Sequence, residues 1–345
     1  MLRQDSHAIY TPLQRRQDVL ACAEALVRTQ AEPDQRQLLE TALIGLQDPV
    51  LDDPPLLLAC VHLPLLVHAA LVGDDAPAVP LAALLALLHL GIDIFDDLAD
   101  GDLPAHWAGW HPSAINLAAA TLLSALPQLA LAELDAPSAT LVAMQRTLAQ
   151  GLMRMSAGQQ RDLAMVGAYS VSAQDIEALV VAKSGEELAL FAALAAQFAG
   201  MPSEVVAIAA ALGRALGTGR QIAEDCYDLF TASHSRDLAN GTRTLPLALY
   251  LARQRPEEAG SFLDLLAQAR VDRVAQGVVR QRLREAGVLR HCAVIVEIYC
   301  QQARRLLAQL NAQEPGYRGL QAMISTVSFF PDQHSVDGQA AISDG

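Results

Sequence analysis

Residues 89–102 read HLGIDIFDDLADGD, and this short stretch decides the fold class. It follows a long run of Leu and Ala, which are strong helix formers. Asp96 and Asp100 lie four residues apart, so a helix places both on one face, with Asp93 one turn earlier. Gly101 predicts the end of that helix. A helix that is apolar along most of its length and ends in crowded carboxylates indicates an all-α protein with a cation-binding site.

A second acidic group lies in residues 219–230, GRQIAEDCYDLF. Its polar residues follow one another at helical spacing and form a single stripe on an otherwise apolar helix: Gln221, Glu224, Asp225 and Asp228. Carboxylates this close repel each other, and magnesium prefers oxygen ligands together with substrate phosphates. We therefore expect the two acidic helices to face each other and hold magnesium that grips a diphosphate. On spacing alone, a solvated acidic face remains the alternative for each stretch.

Helical periodicity continues over nearly the whole chain of 345 residues, from about residue 13 to residue 328. The breaks between apolar runs predict about a dozen helices, and no stretch shows the alternation of a strand. No linker divides the chain, so we expect one helical domain over residues 1–330. The tail, residues 331–345, is polar and small, and we expect it to be disordered.

The formal net charge is -14, which disfavours binding to nucleic acid and to anionic lipid surfaces. The five cysteines include no CxxC pair and are odd in number, which favours reduced thiols in a cytoplasmic protein. Two apolar runs, near 54–72 and 79–95, resemble membrane spans by length. Internal prolines and histidines in the first, and the carboxylates that end the second, favour buried core helices instead. We therefore expect no integral membrane segment.

Five stretches together resemble the polyprenyl synthetase family, the trans-isoprenyl diphosphate synthases. Residues 89–100 are similar to that family's first aspartate-rich region, and QIAEDCYD is similar to the second, with Glu224 in place of an Asp. GQQRDL at 158–163 and KSG at 183–185 resemble two further motifs. DLANGTRTLPLALYL begins at Asp237 and resembles a fifth, with Thr242 where the family usually has Lys. The order and spacing agree over about residues 40–330.

The resemblance implies an antiparallel helix bundle of the isoprenoid synthase type around a deep cavity, and a homodimer. It implies an allylic prenyl diphosphate substrate and three magnesium ions. The metal ligands that it implies are Asp96, Asp97, Asp100, Glu224, Asp225 and Asp228, and all of these except Glu224 are also predicted to be catalytic.

Six further residues are predicted to line the substrate site. Lys183 and Arg243 would contact the diphosphate, and Lys183 is the only lysine beside 23 arginines. Gln221 belongs to the second polar stripe. Gly91 would leave room for a long hydrocarbon chain of the substrate, and Phe95 is a candidate aromatic residue for the wall of the substrate pocket. Arg220 could reach a second diphosphate or, alternatively, pair with Glu224 one helical turn away.

The cations of the acceptor site are missing from the expected place. Elongating members carry GGKxxR near the N-terminus and paired arginines after the first aspartates, where this chain has DDPPLLLACVHLPLL and GDLPAHWAGWHPSA. Residues 37–145 contain no Lys or Arg but thirteen acidic residues. In elongating members these cations bind the diphosphate of the acceptor, isopentenyl diphosphate. Binding of this second diphosphate without cations is electrostatically unfavourable. Arginines later in the chain could still reach it: Arg146, Arg154, Arg214 and Arg220.

The main prediction is therefore a prenyltransferase-like terpene synthase that ionises a prenyl diphosphate but lacks the site for isopentenyl diphosphate. A prenyltransferase that uses isopentenyl diphosphate or another acceptor is the first alternative. An inactive regulatory subunit of a prenyl synthase is the second alternative, and the retained aspartates argue against it.

Overall fold

The computed structural model describes residues 12–46, 59–165 and 172–330, and within these ranges it contains helices and no strands. The predicted all-α class is confirmed. A π-helical turn, Val181–Gly185, joins the helix that ends at Val180 to the helix that begins at Glu186. The α-helices are α1 Pro12–Gln30, α2 Pro33–Leu43, α3 Ala59–Val72, α4 Val79–Asp100, α5 Pro112–Leu123, α6 Ala125–Ala132, α7 Ser138–Met165, α8 Ala173–Val180, α9 Glu186–Phe198, α10 Ser203–Phe230, α11 Arg236–Asn240, α12 Leu245–Leu251, α13 Pro256–Ala269, α14 Arg273–Glu285, α15 Val288–Gln309 and α16 Gly316–Val327.

The described residues thus contain more helices than the dozen that the sequence predicts. Part of the excess consists of short helices: α6 has 8 residues, α11 has 5 and α12 has 7. Segments this short carry too few turns to show a clear 3.6-residue period.

The chain contacts form two compact units, each made of separate stretches of sequence. Unit 1 contains residues 1–149, 191–209 and 307–320, and unit 2 contains residues 150–190, 210–306 and 321–345. The single domain over residues 1–330 stays a prediction. The predicted disordered tail, residues 331–345, lies outside the described residues.

Helix α4 is the centre of unit 1. It packs against α1, α3, α5 and α6. Leu81 to Leu88 are buried without interruption, as are Ala59 to Ala70 of α3. Helices that are apolar all round become buried all round. The apolar run of α4 therefore lies in the core, and its acidic C-terminal end is partly exposed.

Two stretches are long and apolar enough to cross a membrane by length and composition, Ala76–Asp100 and Pro112–Ala132. In the first, 67% of the tested window is buried inside the protein. That burial agrees with the prediction of a core helix for residues 79–95. Residues 54–58 of the other predicted core run lie outside the described residues.

In unit 2, glycines bring helices close to the π-helical turn. A Cβ on Gly217 of α10 would lie 2.3 Å from the carbonyl oxygen of Ser184, and one on Gly158 of α7 would lie 2.9 Å from that of Ala182. Only glycine permits such close approach of two backbones. The turn is therefore fixed between α7 and α10, and π-helical turns of this kind are frequent at functional sites.

None of the five cysteines forms a disulfide, as predicted, and all but the half-buried Cys22 are buried. Cys226 of α10 interacts with Cys292 of α15, and the hydrogen bond between the thiols, together with burial, raises the pKa of Cys226. A buried thiol with a raised pKa is a poor nucleophile. These side chains therefore act as small apolar residues of the core.

Candidate active site

The first acidic group lies at the C-terminal end of α4, in unit 1. Asp96 and Asp97 are half-buried, whereas Asp93 and Asp100 are exposed. His89 lies one turn earlier, with its Nε2 atom 3.2 Å from Oδ2 of Asp93. Gly101 adopts a left-handed conformation with φ 71° and ends the helix. The helix thus carries its aspartates on its last two turns, which are partly open, and it ends where the sequence predicts.

Gly91 and Phe95 occupy different environments on the same helix. A Cβ on Gly91 would lie 2.8 Å from Cγ of Leu123 and 3.1 Å from Cβ of Leu122. Gly91 therefore allows α5 to pack tightly against α4, and the space beside it is filled by leucine. Phe95 is 38% exposed, so its ring remains available to a ligand. On this side Gly91 has a packing role, and the substrate role predicted for it stays a prediction.

The second acidic group lies near the C-terminal end of α10, in unit 2, and Asp225 is its buried member. Nε2 of Gln221 donates a hydrogen bond to Oδ1 of Asp225 at 2.9 Å. Oγ of Ser184 in turn donates to Oε1 of Gln221 at 2.8 Å. This chain of two bonds runs from the π-helical turn to Asp225 and fixes the orientation of the carboxyl group.

The charge environment of Asp225 is strongly unfavourable to its ionised form. Burial is the largest cause and, with the nearby charge of Asp237, raises the pKa from 3.8 to about 8. Gln221 opposes the shift through its hydrogen bond, while Glu224 and Asp228 add to it. Without a cation, Asp225 is therefore mostly protonated at neutral pH. A divalent ion at this position would relieve the repulsion and displace the proton.

Asp228 is held differently, because both of its oxygens accept hydrogen bonds from the start of α11. The Ser235 hydroxyl and the backbone N–H of Asp237 donate to Oδ2, and the backbone N–H of Arg236 donates to Oδ1. A carboxylate in this position also interacts favourably with the positive end of the helix dipole. Asp228 thus has a structural role in addition to the predicted metal-binding role.

Glu224 and Arg220 form an ion pair on the exposed side of α10. Nε of Arg220 lies 2.7 Å from Oε1 of Glu224, and the side chains are 36% and 49% exposed. This is the i, i+4 pairing that the sequence offers as the alternative role of Arg220. The four residues of the predicted polar stripe therefore differ widely in burial.

Three cations of unit 2 named in the sequence analysis, Lys183, Arg154 and Arg214, are paired with carboxylates. Nζ of Lys183 lies 2.7 Å from Oδ2 of Asp162, which joins the KSG and GQQRDL motifs. Arg154 and Arg214 both bind Glu186 at 2.7 Å. Burial alone would raise the pKa of Glu186, but the hydrogen bonds from these two arginines outweigh it and lower the pKa. Arg154 and Arg214 therefore form ion pairs with a carboxylate of the protein itself.

Arg243 lines a cavity in unit 2 next to Asp237. The residues that sequence reasoning did not assign to the site are Asp237, Ser184 and Glu186. Asp237 and Ser184 lie within the recognised motifs, whereas the sequence gives no signal for the pairing of Glu186 with two arginines far along the chain.

The donor set in unit 2 fits a magnesium ion in its chemistry. Oxygen ligands are grouped around the carboxyl group of Asp225, whose pKa is raised first by burial and then by the neighbouring carboxylates. Among the described residues, no three His, Cys, Asp or Glu side chains form a ready-made metal group. Magnesium usually binds through one or two carboxylates plus waters and phosphates, so a preformed cage is not required. Whether the clusters of the two units hold common ions stays a prediction.

The amino-acid sequence is similar to those of known prenyl diphosphate synthases. A sequence profile described as polyprenyl synthetase matches residues 62–280, a range that includes both acidic groups. The nonaprenyl diphosphate synthase of Mycobacterium tuberculosis (strain ATCC 25618 / H37Rv) is 30% identical over 271 residues, which cover 74% of this chain and 77% of the relative.

Solved structures share the fold at lower sequence identity. The geranylgeranyl pyrophosphate synthetase from Pyrococcus horikoshii Ot3 matches with a TM-score of 0.78 at 18% identity, over 92% of this chain and 97% of that one. The polyprenyl synthase from Caulobacter crescentus CB15, complexed with calcium and isoprenyl diphosphate, matches with a TM-score of 0.71 at 18% identity, over 93% and 97%. These likenesses agree with the predicted isoprenoid synthase architecture.

Proposed function

Because the chain belongs to the polyprenyl synthetase family, we propose that it is a magnesium-dependent prenyltransferase that elongates an allylic prenyl diphosphate with isopentenyl diphosphate. The observation that carries this proposal is the 30% identity to a nonaprenyl diphosphate synthase over 74% of the chain. It favours the first alternative of the sequence analysis over the main prediction of a terpene synthase. That the protein is an isoprenoid diphosphate enzyme follows from the family itself.

The side chains proposed to hold magnesium are Asp96, Asp97 and Asp100 in unit 1, and Asp225 with Asp228 and Glu224 in unit 2. Bound magnesium would neutralise the diphosphate and stabilise it as a leaving group. Three ions, as the resemblance implies, remain part of the proposal.

The protein's own residues prepare the site in unit 2. Gln221 and Ser184 hold one oxygen of Asp225 in place, so its orientation is set before any ligand arrives. Lys183 keeps an ammonium group half-buried beside Asp162, and a phosphate oxygen can exchange for that carboxylate. A compact ammonium suits such a point contact. Asp228 anchors the segment that carries Asp237 and leads to Arg243.

A terpene synthase remains the second candidate, because one observation favours it. The absence of Lys and Arg from residues 37–145 leaves the acceptor diphosphate without its usual cations. Residues 52–58 of the segment in question lie outside the described residues. The remaining residues of that segment belong to α3 and are buried.

One assay distinguishes the candidates. The purified protein with magnesium is incubated with geranyl, farnesyl or geranylgeranyl diphosphate, with and without isopentenyl diphosphate. Longer diphosphates that form only with isopentenyl diphosphate support the proposal. Hydrocarbons or alcohols without it support the terpene synthase, and no release of diphosphate under any condition supports the inactive subunit. Chelation of magnesium by EDTA should abolish all turnover.

We also propose that the protein is a homodimer, as the resemblance implies. Unit 1 exposes apolar side chains that a partner could cover, among them Leu117 and Val142, each 64% exposed. Single exposed apolar residues are common on monomers, and the mass in solution distinguishes the two states. Light scattering after gel filtration should give twice the chain mass, and Leu117→Asp should shift the population toward monomer.

A further inference from the structure

The turn between α10 and α11 is held from one side by α14. Nη2 of Arg284 donates a hydrogen bond to the carbonyl oxygen of Phe230 at 2.8 Å, and its guanidinium carbon lies 5.9 Å from the centre of the Phe230 ring. Gln276 lies about two helical turns earlier on α14 and bonds Ser235 at the other end of the turn. Helix α14 therefore contacts the turn at both of its ends.

Gln276 is the polar member of the buried face of α14. The other buried residues of this helix are Ala275, Val279 and Leu283, and Gln276 is 1% exposed. Burial of an amide is unfavourable unless its polar atoms form hydrogen bonds. An apolar side chain would fill the same place without that requirement, so packing does not account for an amide at this position.

Both polar atoms of the Gln276 side chain are bonded to the backbone. Oε1 accepts a hydrogen bond from the N–H of Ser235 at 3.2 Å, and Nε2 donates to the carbonyl oxygen of the same residue at 3.4 Å. Nε2 also donates to the carbonyl oxygen of Ala269, the last residue of α13, at 3.0 Å. The amide thus contacts both polar backbone groups of Ser235 and fixes this residue relative to α13 and α14.

Ser235 connects Gln276 to the second acidic group. Its hydroxyl donates to Oδ2 of Asp228 and accepts a hydrogen bond from the backbone N–H of Leu238, so Ser235 is the N-cap of α11. The N–H groups of the two residues that follow Ser235 also donate to Asp228. Because all three donors belong to the segment that begins at Ser235, a displacement of Ser235 would move them together.

The three hydrogen bonds leave Asp228 one direction for a further ligand. Oδ2 accepts two of them and Oδ1 accepts one. A carboxylate offers roughly four acceptor sites, about two on each oxygen. The remaining site is therefore on Oδ1, and its direction is set by the segment that Gln276 holds.

We propose that Gln276 is a positioning residue for metal binding, because it fixes Ser235 and thereby turns Oδ1 of the Asp228 carboxylate toward a magnesium ion. This inference rests on the proposed function and extends it to a residue outside the five family motifs. Gln276 acts through Ser235 and touches neither metal nor substrate. Loss of its amide leaves Asp228 in place but frees its orientation, and partners outside the ligand shell that orient a ligand control metal affinity.

Gln276→Leu tests this role, because leucine has a similar volume and no hydrogen-bonding group. Binding of manganese(II), which takes the same oxygen ligands as magnesium, is measured by electron paramagnetic resonance at a fixed concentration of inorganic diphosphate. The variant should bind manganese about tenfold more weakly than the wild type. The matched control is Gln281→Leu, the same change at an exposed position of α14 where the amide bonds Glu285. It should change manganese affinity less than about twofold.

Turnover gives a readout that a general loss of stability would not change. In Gln276→Leu, the magnesium concentration for half-maximal rate should rise about tenfold. The KM for the allylic diphosphate at saturating magnesium should change less than about twofold, because the diphosphate contacts themselves are intact. Circular dichroism melting verifies folding. If Gln276→Leu does not fold, Gln276→Met takes its place, since the unbranched methionine adapts to irregular space, and the same shifts are expected.

A double-mutant cycle tests whether Gln276 acts through Ser235. Ser235→Ala should itself weaken manganese binding about tenfold or more, because it removes a partner that orients Asp228. If the two residues act in series, adding Gln276→Leu to Ser235→Ala should weaken binding further by less than about twofold. Residues that act independently would multiply their effects.

Three results would overturn the positioning role: wild-type manganese affinity in Gln276→Leu, a loss no larger than that in Gln281→Leu, and full multiplication of the two losses in the double variant. Elongation of a prenyl chain together with unchanged manganese affinity in Gln276→Leu would contradict only this role. A wild type that binds manganese, with the expected losses in the variants, but never elongates a prenyl chain would contradict the proposed reaction and support the role of Gln276.

Discussion

Ser235 donates its hydroxyl hydrogen to Oδ2 of Asp228, and this bond joins the end of α10 to the start of α11. Three residues before Asp228 on the same helix, Asp225 has a different environment, buried and crowded by other carboxylates. Three donors at the start of α11 stabilise the charge of Asp228, whereas burial and neighbouring carboxylates oppose the charge of Asp225 despite its one hydrogen bond from Gln221. The two should therefore respond in opposite directions when their charge is removed.

Asp228→Asn should destabilise the metal-free protein by about 1 kcal/mol, because it removes an acceptor and a negative charge from the N-terminal end of α11. Urea unfolding in EDTA measures the change. Ser235→Ala removes the other half of the same bond and should cost a similar amount. Equal stability of Asp228→Asn and wild type would show that the anchor contributes nothing.

Asp225→Asn should stabilise the metal-free protein, and more so at high pH. Since burial raises the pKa of Asp225 to about 8, the folded state binds a proton that the unfolded state has already lost above about pH 4. The stability of the wild type should therefore decrease as the pH rises from about 4 to about 8. The stability of the variant should not show this decrease, because its amide does not ionise. The difference in melting temperature between variant and wild type is measured at pH 5 and pH 9 in EDTA. A smaller difference at pH 9 than at pH 5 would contradict the raised pKa of Asp225.

The same variant should lose at least about a hundredfold in turnover, because metal charge on the leaving group is worth several kcal/mol. Asp96→Ala, in unit 1, should show a comparable loss while its fold remains intact. If both variants turned over substrate like the wild type, Asp225 and Asp96 would not be ligands of a catalytic metal.

Lys183→Gln should raise the KM for the allylic diphosphate about tenfold, since it removes one charged hydrogen bond to phosphate. The matched control is Asp162→Asn, which removes the negative charge beside Lys183 but keeps the ammonium group. That control should not raise the KM. Steady-state kinetics measure both, and an unchanged KM in Lys183→Gln would exclude Lys183 from the site.

Glu186→Gln should destabilise the protein by roughly 1–3 kcal/mol, because two arginines lose a shared carboxylate. The pKa of Glu186 is lowered in the folded state, so its contribution is present above the ordinary value of 4.5 and disappears as the pH falls through the folded value. The variant should therefore differ most from wild type at pH 7. Glu258→Gln breaks a fully exposed pair with Arg255 and should leave the stability nearly unchanged, because solvent screens such a pair.

Gly91→Ala should destabilise the protein by about 1–3 kcal/mol, because the new methyl group has no room against Leu123. Gly277 provides the matched control: it lies in α14 with open space around it, and Gly277→Ala should stabilise the protein by about 0.5–1 kcal/mol. Thermal unfolding measures both. A Gly91→Ala variant as stable as wild type would indicate free space beside α4.

The sequence by itself determined the helical class, the end of α4 at Gly101, the two acidic groups and the five family motifs. These features follow from local rules, since helical periodicity, helix-ending glycines and residue spacing depend only on near neighbours in the chain. The sequence could not rank the acidic residues of α10, because Glu224, Asp225 and Asp228 have equivalent spacing.

The tertiary structure alone decided what each of those side chains does. Glu224 pairs with Arg220 in solvent, Asp225 is buried beneath Gln221, and Asp228 anchors α11. Likewise, leucines of α5 fill the space beside Gly91. Arg270, nearly thirty residues after Gly241 in the chain, lies beside the loop at Gly241. Burial and charge come from residues far along the chain, so the pKa of a carboxyl group and the lining of a cavity exist only once the helices have packed.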